Sequence, residues 1–182
     1  MVYVLLADGF EEIEAIAPID ILRRANVEVA TVSLSNELMV TGGHGICVKA
    51  DIFLEQIGFQ ELEMLVLPGG LAGVNAIAKN PAAMDLIKKV WKEGKKIAAI
   101  CAAPSLLAKA GIIDGLSFVC YPSVSDDVIT AGGIYIPDQN VVCDNNLITG
   151  KAAGSSINFA LELVATIINK ETAEQIRNTI NP

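Results

Sequence analysis

Residues 95–111 read KKIAAICAAPSLLAKAG, and their reading decides the fold. Residues 97–100 (IAAI) form a short unbroken apolar run, the mark of a buried strand. The segment after Cys101 reads as a helix, so strand passes to helix in one turn with a thiol at the turn. Working outward, the same rhythm recurs. VYVLLA (2–7) is a strand followed by a helix over 11–25, and VEVATVSL (27–34) is a second apolar strand. TGGHG (41–45) leads into a short strand near 46–49, and EMLVLPGG (63–70) is a strand that ends in a glycine-permitted turn. Asn80-Pro81 opens a helix, with Asn as cap and Pro at the first helical position, and Gly94 ends it after about Glu93.

Residues 117–149 are mixed, with VVCD and LIT forming a hairpin around Asn145-Asn146. A long helix over 153–168 and a polar helical tail over 171–178 follow. Strands alternating with helices imply an α/β domain, residues 1–182, with a mostly parallel sheet covered on both faces. Function in such sheets gathers at the carboxyl ends of the strands, here the turns after Ala7, Pro68 and Ile100.

Composition agrees. The chain is 52% hydrophobic but only 5% aromatic, so its core is aliphatic, as buried parallel strands require. A net charge of −8 repels phosphate backbones, which argues against nucleic acid as a partner. No apolar run is long enough to span a membrane, and the first residues lack a basic leader, so a soluble cytoplasmic protein is expected. Cys47, Cys101, Cys120 and Cys143 are widely spaced and there is one histidine, so reduced thiols are expected and no metal or cofactor.

Cys101 lies in a small-x-Cys-x-small pattern, Ala99 to Ala103. Nucleophile elbows need small residues there, because the sharp turn brings strand and helix backbones close. A thiol at a helix N-terminus is expected to ionise readily, with the Ala102 and Ala103 amides aimed at charge beside the sulfur. A buried structural cysteine fits the same pattern, and the motif does not separate the two.

Glu14 adds weight. On a helical wheel it shares a face with Phe10, Ala17, Pro18, Ile21 and Ala25, whereas Glu12 and Arg23 fall on the solvent side. A glutamate on an apolar stripe must be protonated or paired, which suits proton transfer beside a nucleophile. Pro18 also removes the amide that would have bonded the Glu14 carbonyl. Gly69-Gly70 lets backbone amides approach a ligand, one oxyanion donor with Ala102 as the other, although Pro-Gly-Gly is also ordinary turn chemistry. GGLAG and TGKAAGSS match neither phosphate-loop pattern. A Cys-His hydrolase needs an imidazole, and the single candidate, His44, follows two glycines in a loop.

Taken in order, GFEEIEAIAPIDILRRA, VLPGG, IAAICAAPSLLAKAG, YPS and ITGKAAGSSINFALELV resemble the ThiJ/PfpI family over essentially the whole chain, in the branch of the parkinsonism-associated protein deglycase. The resemblance implies a flavodoxin-like three-layer α/β/α sandwich and a homodimer. It implies a nucleophilic, oxidation-sensitive Cys101 partnered by Glu14, with the Gly70 and Ala102 amides facing the sulfur. Family activities include cofactor-independent conversion of methylglyoxal or glyoxal to hydroxyacids, deglycation, chaperone activity and oxidative-stress sensing. Two positions depart from the pattern. Ala102 stands where the protease-like branch has histidine, which speaks against a protease or amidase. Tyr121 stands where the deglycase branch often has histidine, so Tyr121 joins Gly69 and His44 as candidate substrate contacts. His44 falls near the family's dimer interface and is expected to reach the partner's site. The expected activity is that of a cofactorless cysteine enzyme on small α-oxoaldehydes. The alternatives are a redox sensor or chaperone acting through the same thiol, or a fold without turnover.

Overall fold

The computed structural model describes residues 1–181. Strands β1 (Val2–Leu6), β2 (Val29–Ser33), β5 (Ile52–Phe53), β6 (Met64–Leu67), β7 (Lys96–Ile100), β10 (Val141–Asp144) and β11 (Leu147–Gly150) form one sheet, ordered β10-β11-β7-β6-β1-β2-β5. All neighbours in it are parallel except β10 against β11. Two small pairs lie outside it, β3 (Met39–Thr41) with β4 (Cys47–Lys49) and β8 (Ser117–Phe118) with β9 (Ile134–Tyr135). The helices are α1 (Glu12–Arg24), α2 (Leu71–Lys79), α3 (Pro81–Lys92), α4 (Pro104–Ala110), α5 (Ser125–Thr130), α6 (Ser156–Ile167) and α7 (Lys170–Ile180).

The expected sandwich is present. Successive strand residues point to opposite faces. Leu5, Leu65, Leu67, Ile97 and Ala99 pack with Val74, Ile87, Leu106 and Val128 from α2, α3, α4 and α5. Val4, Leu6, Val66, Ala98 and Ile100 pack with Ile21, Phe159, Val164 and Ile176 from α1, α6 and α7. Each strand is thus apolar on both sides, which is why it reads as a continuous run.

The chain moves from β1 to β2 on one side, then returns to place β6 on the other. That reversal is a topological switch point at the carboxyl ends of β1 and β6, the place where open α/β sheets bind ligands. The Asn145-Asn146 hairpin and the Asn80 cap stand as expected; Asn80 Oδ1 accepts from the Ala83 amide at 3.1 Å. Helix α2 was not expected. Its start at Gly70 looks like turn chemistry, and its short sequence carries too weak a pattern to reveal a helix.

Candidate active site

Cys101 sits one residue beyond β7 with φ of 63°, a left-handed conformation that non-glycine residues rarely adopt. Neighbouring chain holds it there: its amide donates to Gly150 O at 2.9 Å, and its carbonyl accepts from the Tyr121 amide at 2.8 Å. Ala102 and Ala103 are buried, so larger side chains would not fit. This is the strand-to-helix elbow that the small flanking residues imply.

Glu14, in the first turn of α1, is fully buried. Its Oε2 accepts from the Gly69 amide at 2.9 Å, while Oε1 has no hydrogen-bond partner among the described residues. The carboxyl lies beside Cys101, close enough for the two groups to act on one another's proton. Gly69 makes that approach possible. A Cβ there would run into Glu14 Oε2 and stand 2.7 Å from Cys101 Cβ. Gly70 has φ of 88°, and a Cβ on it would lie 2.6 Å from the Glu11 amide. Both glycines are demanded by contact with neighbouring backbone or side chains. The amides of Gly70 and Ala102 bear on the Cys101 sulfur in the sense that favours its ionised form.

Burial raises the Glu14 pKa to about 7; the thiol and the Gly69 amide oppose this, and the charge of Glu11 adds to it. Burial also pushes the Cys101 thiol up, and an ionised Glu14 pushes it further, against the pull of the Ala102 and Gly70 amides. This corrects the expectation of a thiol acidified by a helix N-terminus. Helix α4 begins only at Pro104, and burial of the sulfur together with the carboxyl beside it outweighs the neighbouring amides.

Residues 1–166 match the DJ-1/PfpI family. The chain belongs to this family. It is 36% identical over 173 residues to Protein dj-1beta of Drosophila melanogaster, spanning 95% of this chain and 92% of that one. The crystal structure of Drosophila melanogaster DJ-1beta superposes with a TM-score of 0.94 at 35% identity, covering 98% of this chain and 96% of that chain. A protein named as a deglycase in Pyrococcus abyssi is 36% identical over 163 residues, 90% of this chain and 96% of its own. The structure of oxidized Toxoplasma gondii DJ-1 has a TM-score of 0.92 at 33% identity, with 98% and 96% coverage.

Within this DJ-1/PfpI chain, the other candidate residues separate from the Cys101–Glu14 pair. Tyr121 touches the site through its amide, while its side chain is about half exposed. His44 is turned to Glu12: its amide donates to Glu12 Oε1 and its Nδ1 lies 2.7 Å from Oε2. Glu12 is therefore not on a solvent face but only 5% exposed. A helical wheel treats α1 as a lone helix, and the 42–46 turn that covers Glu12 is invisible to it. Burial opposes ionisation of Glu12, but bonds from the His44 ring and amide outweigh it and hold the pKa down at about 2. The same carboxylate raises the His44 pKa. Glu11, Glu12 and His44 place three possible metal-ligand atoms within 4.8 Å of one another. Both Glu12 oxygens are engaged with His44, and Glu11 Oε2 accepts from the Glu14 amide at 2.7 Å. Glu11 is the site residue that sequence reasoning passed over; its one signal was a glutamate at a helix start, three residues before Glu14.

Proposed function

We propose that the protein is a cofactor-independent cysteine enzyme of small α-oxoaldehydes, of glyoxalase III or deglycase type. The observation that carries this reading is a fully buried Glu14, one oxygen anchored on Gly69 and the other unpaired among the described residues, beside a thiol at a positive-φ elbow. The deglycase name borne by the Pyrococcus abyssi relative supports the deglycase side of this reading.

In the proposed cycle the Cys101 sulfur adds to the aldehyde carbon of a substrate such as methylglyoxal, and the thiol proton passes to the new oxygen. The Gly70 and Ala102 amides stabilise that oxygen while it is anionic, an effect of about 3–4 kcal/mol for one donor in other enzymes. Glu14 then takes the proton from the former aldehyde carbon and returns one to the neighbouring carbon. This oxidises the first carbon to a thioester and reduces the second to an alcohol. Water cleaves the thioester, releasing the hydroxyacid and restoring the thiol. Both electrons stay within the substrate, so no outside oxidant or reductant enters. Glu14 with a pKa of about 7 is suited to both directions of transfer near neutral pH. Steady-state methylglyoxal turnover tests the reading. Cys101→Ala is expected to fall to the uncatalysed background and Glu14→Gln to lose roughly 10²–10⁴-fold in kcat; a fully active Cys101→Ala overturns it.

A second reading, oxidative-stress sensing, is favoured by the similarity to oxidized Toxoplasma gondii DJ-1. Here peroxide oxidises the Cys101 thiol to sulfenic and then sulfinic acid, each step reducing one peroxide to water. Wild type without turnover but with selective Cys101 sulfinate under mild peroxide would select it. For assembly, we propose a homodimer through α1 and the β3–β4 hairpin, where Ile13, Ile16, Met39 and Ile46 are exposed. No helix among the described residues is long and apolar enough to cross a membrane. Unpaired cysteines support a reducing cytoplasmic location within the same proposal.

A further inference from the structure

Three hydrogen bonds at the head of α1 close on themselves. The Glu14 amide donates to Glu11 Oε2 at 2.7 Å, and the Glu11 amide donates to Gly69 O at 3.0 Å. The Gly69 amide then donates to Glu14 Oε2 at 2.9 Å. We propose that Glu11 is a positioning residue for this site: its amide and carboxylate complete the ring that locks the Glu14 carboxyl against Cys101. The proposal rests on the reading of Cys101 and Glu14 as the reacting pair.

Capping alone does not account for Glu11. Ser, Thr, Asp and Asn are the favoured helix caps, and all reach the same amide with a shorter arm. The bond to Gly69 O comes from the Glu11 backbone amide, which any residue but proline would supply. The glutamate side chain adds the bond to the Glu14 amide and a negative charge beside the Glu14 carboxyl, which Ser, Thr or Asn would not. There is no slack around it, since Gly70 packs where a Cβ would stand 2.6 Å from the Glu11 amide. The ring fixes the backbone on which Glu14 turns and the donor that holds its Oε2, leaving Oε1 free for the thiol or a substrate.

Charge acts in the same sense. Glu11 and Cys101 are the ionisable groups that act on Glu14, and the Glu11 carboxylate favours its protonated form. On the far side of Glu11 stand Glu12 and His44, bound to each other. A change at Glu11 is therefore read at Glu14.

The test uses the full chain and two readouts that need no turnover: carbon-13 NMR titration of the Glu14 carboxyl, assigned with Glu14→Gln, and the pH profile of Cys101 alkylation by iodoacetamide. Glu11→Gln keeps an oxygen for the Glu14 amide but lacks the charge, and is expected to lower the Glu14 midpoint by about half a pH unit. Glu11→Asp, a good cap that keeps the charge, is expected to restore it. Glu11→Ala loses both, and is expected to lower the midpoint, change the alkylation profile and reduce kcat for methylglyoxal about tenfold with little change in KM. A Glu14 midpoint and an alkylation profile that stay at wild-type values in Glu11→Gln and Glu11→Ala overturn the proposal. Moved midpoints in a protein whose wild type has no methylglyoxal turnover uphold the positioning role and overturn only the substrate.

Discussion

The Gly69 amide donates to Glu14 Oε2 at 2.9 Å, and the other oxygen of that buried carboxyl has no partner among the described residues. One bond orients the acid and the vacant lone pairs face the chemistry. A buried carboxyl with only one donor holds its proton far above the usual carboxylate range, and this has consequences for stability.

Glu14 titrates near 4.5 when unfolded and about 7 in the folded chain. The folded state thus binds the proton more tightly between those values, and the resulting stabilisation is complete below 4.5 and lost as pH rises through 7. Urea denaturation of wild type against Glu14→Gln is expected to show a difference that declines across this window, by roughly 3 kcal/mol at most. A pH-independent difference would place the Glu14 pKa at an ordinary value.

Gly69→Ala is expected to act on geometry while leaving both reactive residues unsubstituted. The new methyl would meet Glu14 Oε2 and lie 2.7 Å from Cys101 Cβ, so carboxyl and thiol must part. Overpacking of this kind costs about 1–3 kcal/mol, and methylglyoxal turnover should fall on the order of 100-fold. Thermal melting and kinetics on the same sample separate the two effects. Wild-type kinetics in a folded Gly69→Ala would contradict the close approach.

Glu12 tests the loop rather than the site. Its depressed pKa stabilises the fold above about 4.5, and this is lost as pH falls toward 2. Glu12→Ala removes the acceptor for the His44 amide and ring, and is expected to cost about 1–2 kcal/mol. Hydrogen exchange should rise in residues 42–46 while Cys101 alkylation stays unchanged. Loss of Cys101 reactivity would tie this network to the site.

The exposed isoleucines test the proposed assembly. Ile13→Asp and Ile46→Asp each place a charge on the apolar face of α1 and the hairpin. Sedimentation is expected to show a wild-type dimer and monomeric variants. A monomeric wild type at micromolar concentration, or dimeric variants, would exclude this face.

How much of this was legible beforehand follows from which forces are local. The parallel sheet, the Asn80-Pro81 helix start, the Asn145-Asn146 hairpin and the elbow at Cys101 were open to reading, because apolar runs, caps and turn residues act over a few positions of chain. Glu14 on the apolar face of α1 was legible for the same reason, and pointed to Cys101 through chemistry. Glu12 on the same helix was misread, because its burial comes from a turn 30 residues away in the chain. The direction of the Cys101 pKa was misread too, since the helix start suggested an acidified thiol and the nearby carboxyl and burial act the other way. Sequence by itself determined the longer strands of the main sheet, the elbow, and Cys101 and Glu14 as the candidate thiol and acid. Tertiary structure alone decided which amides they meet, which carboxylates are buried and where the protons reside, because burial and short-range charge depend on neighbours that only the folded chain brings together.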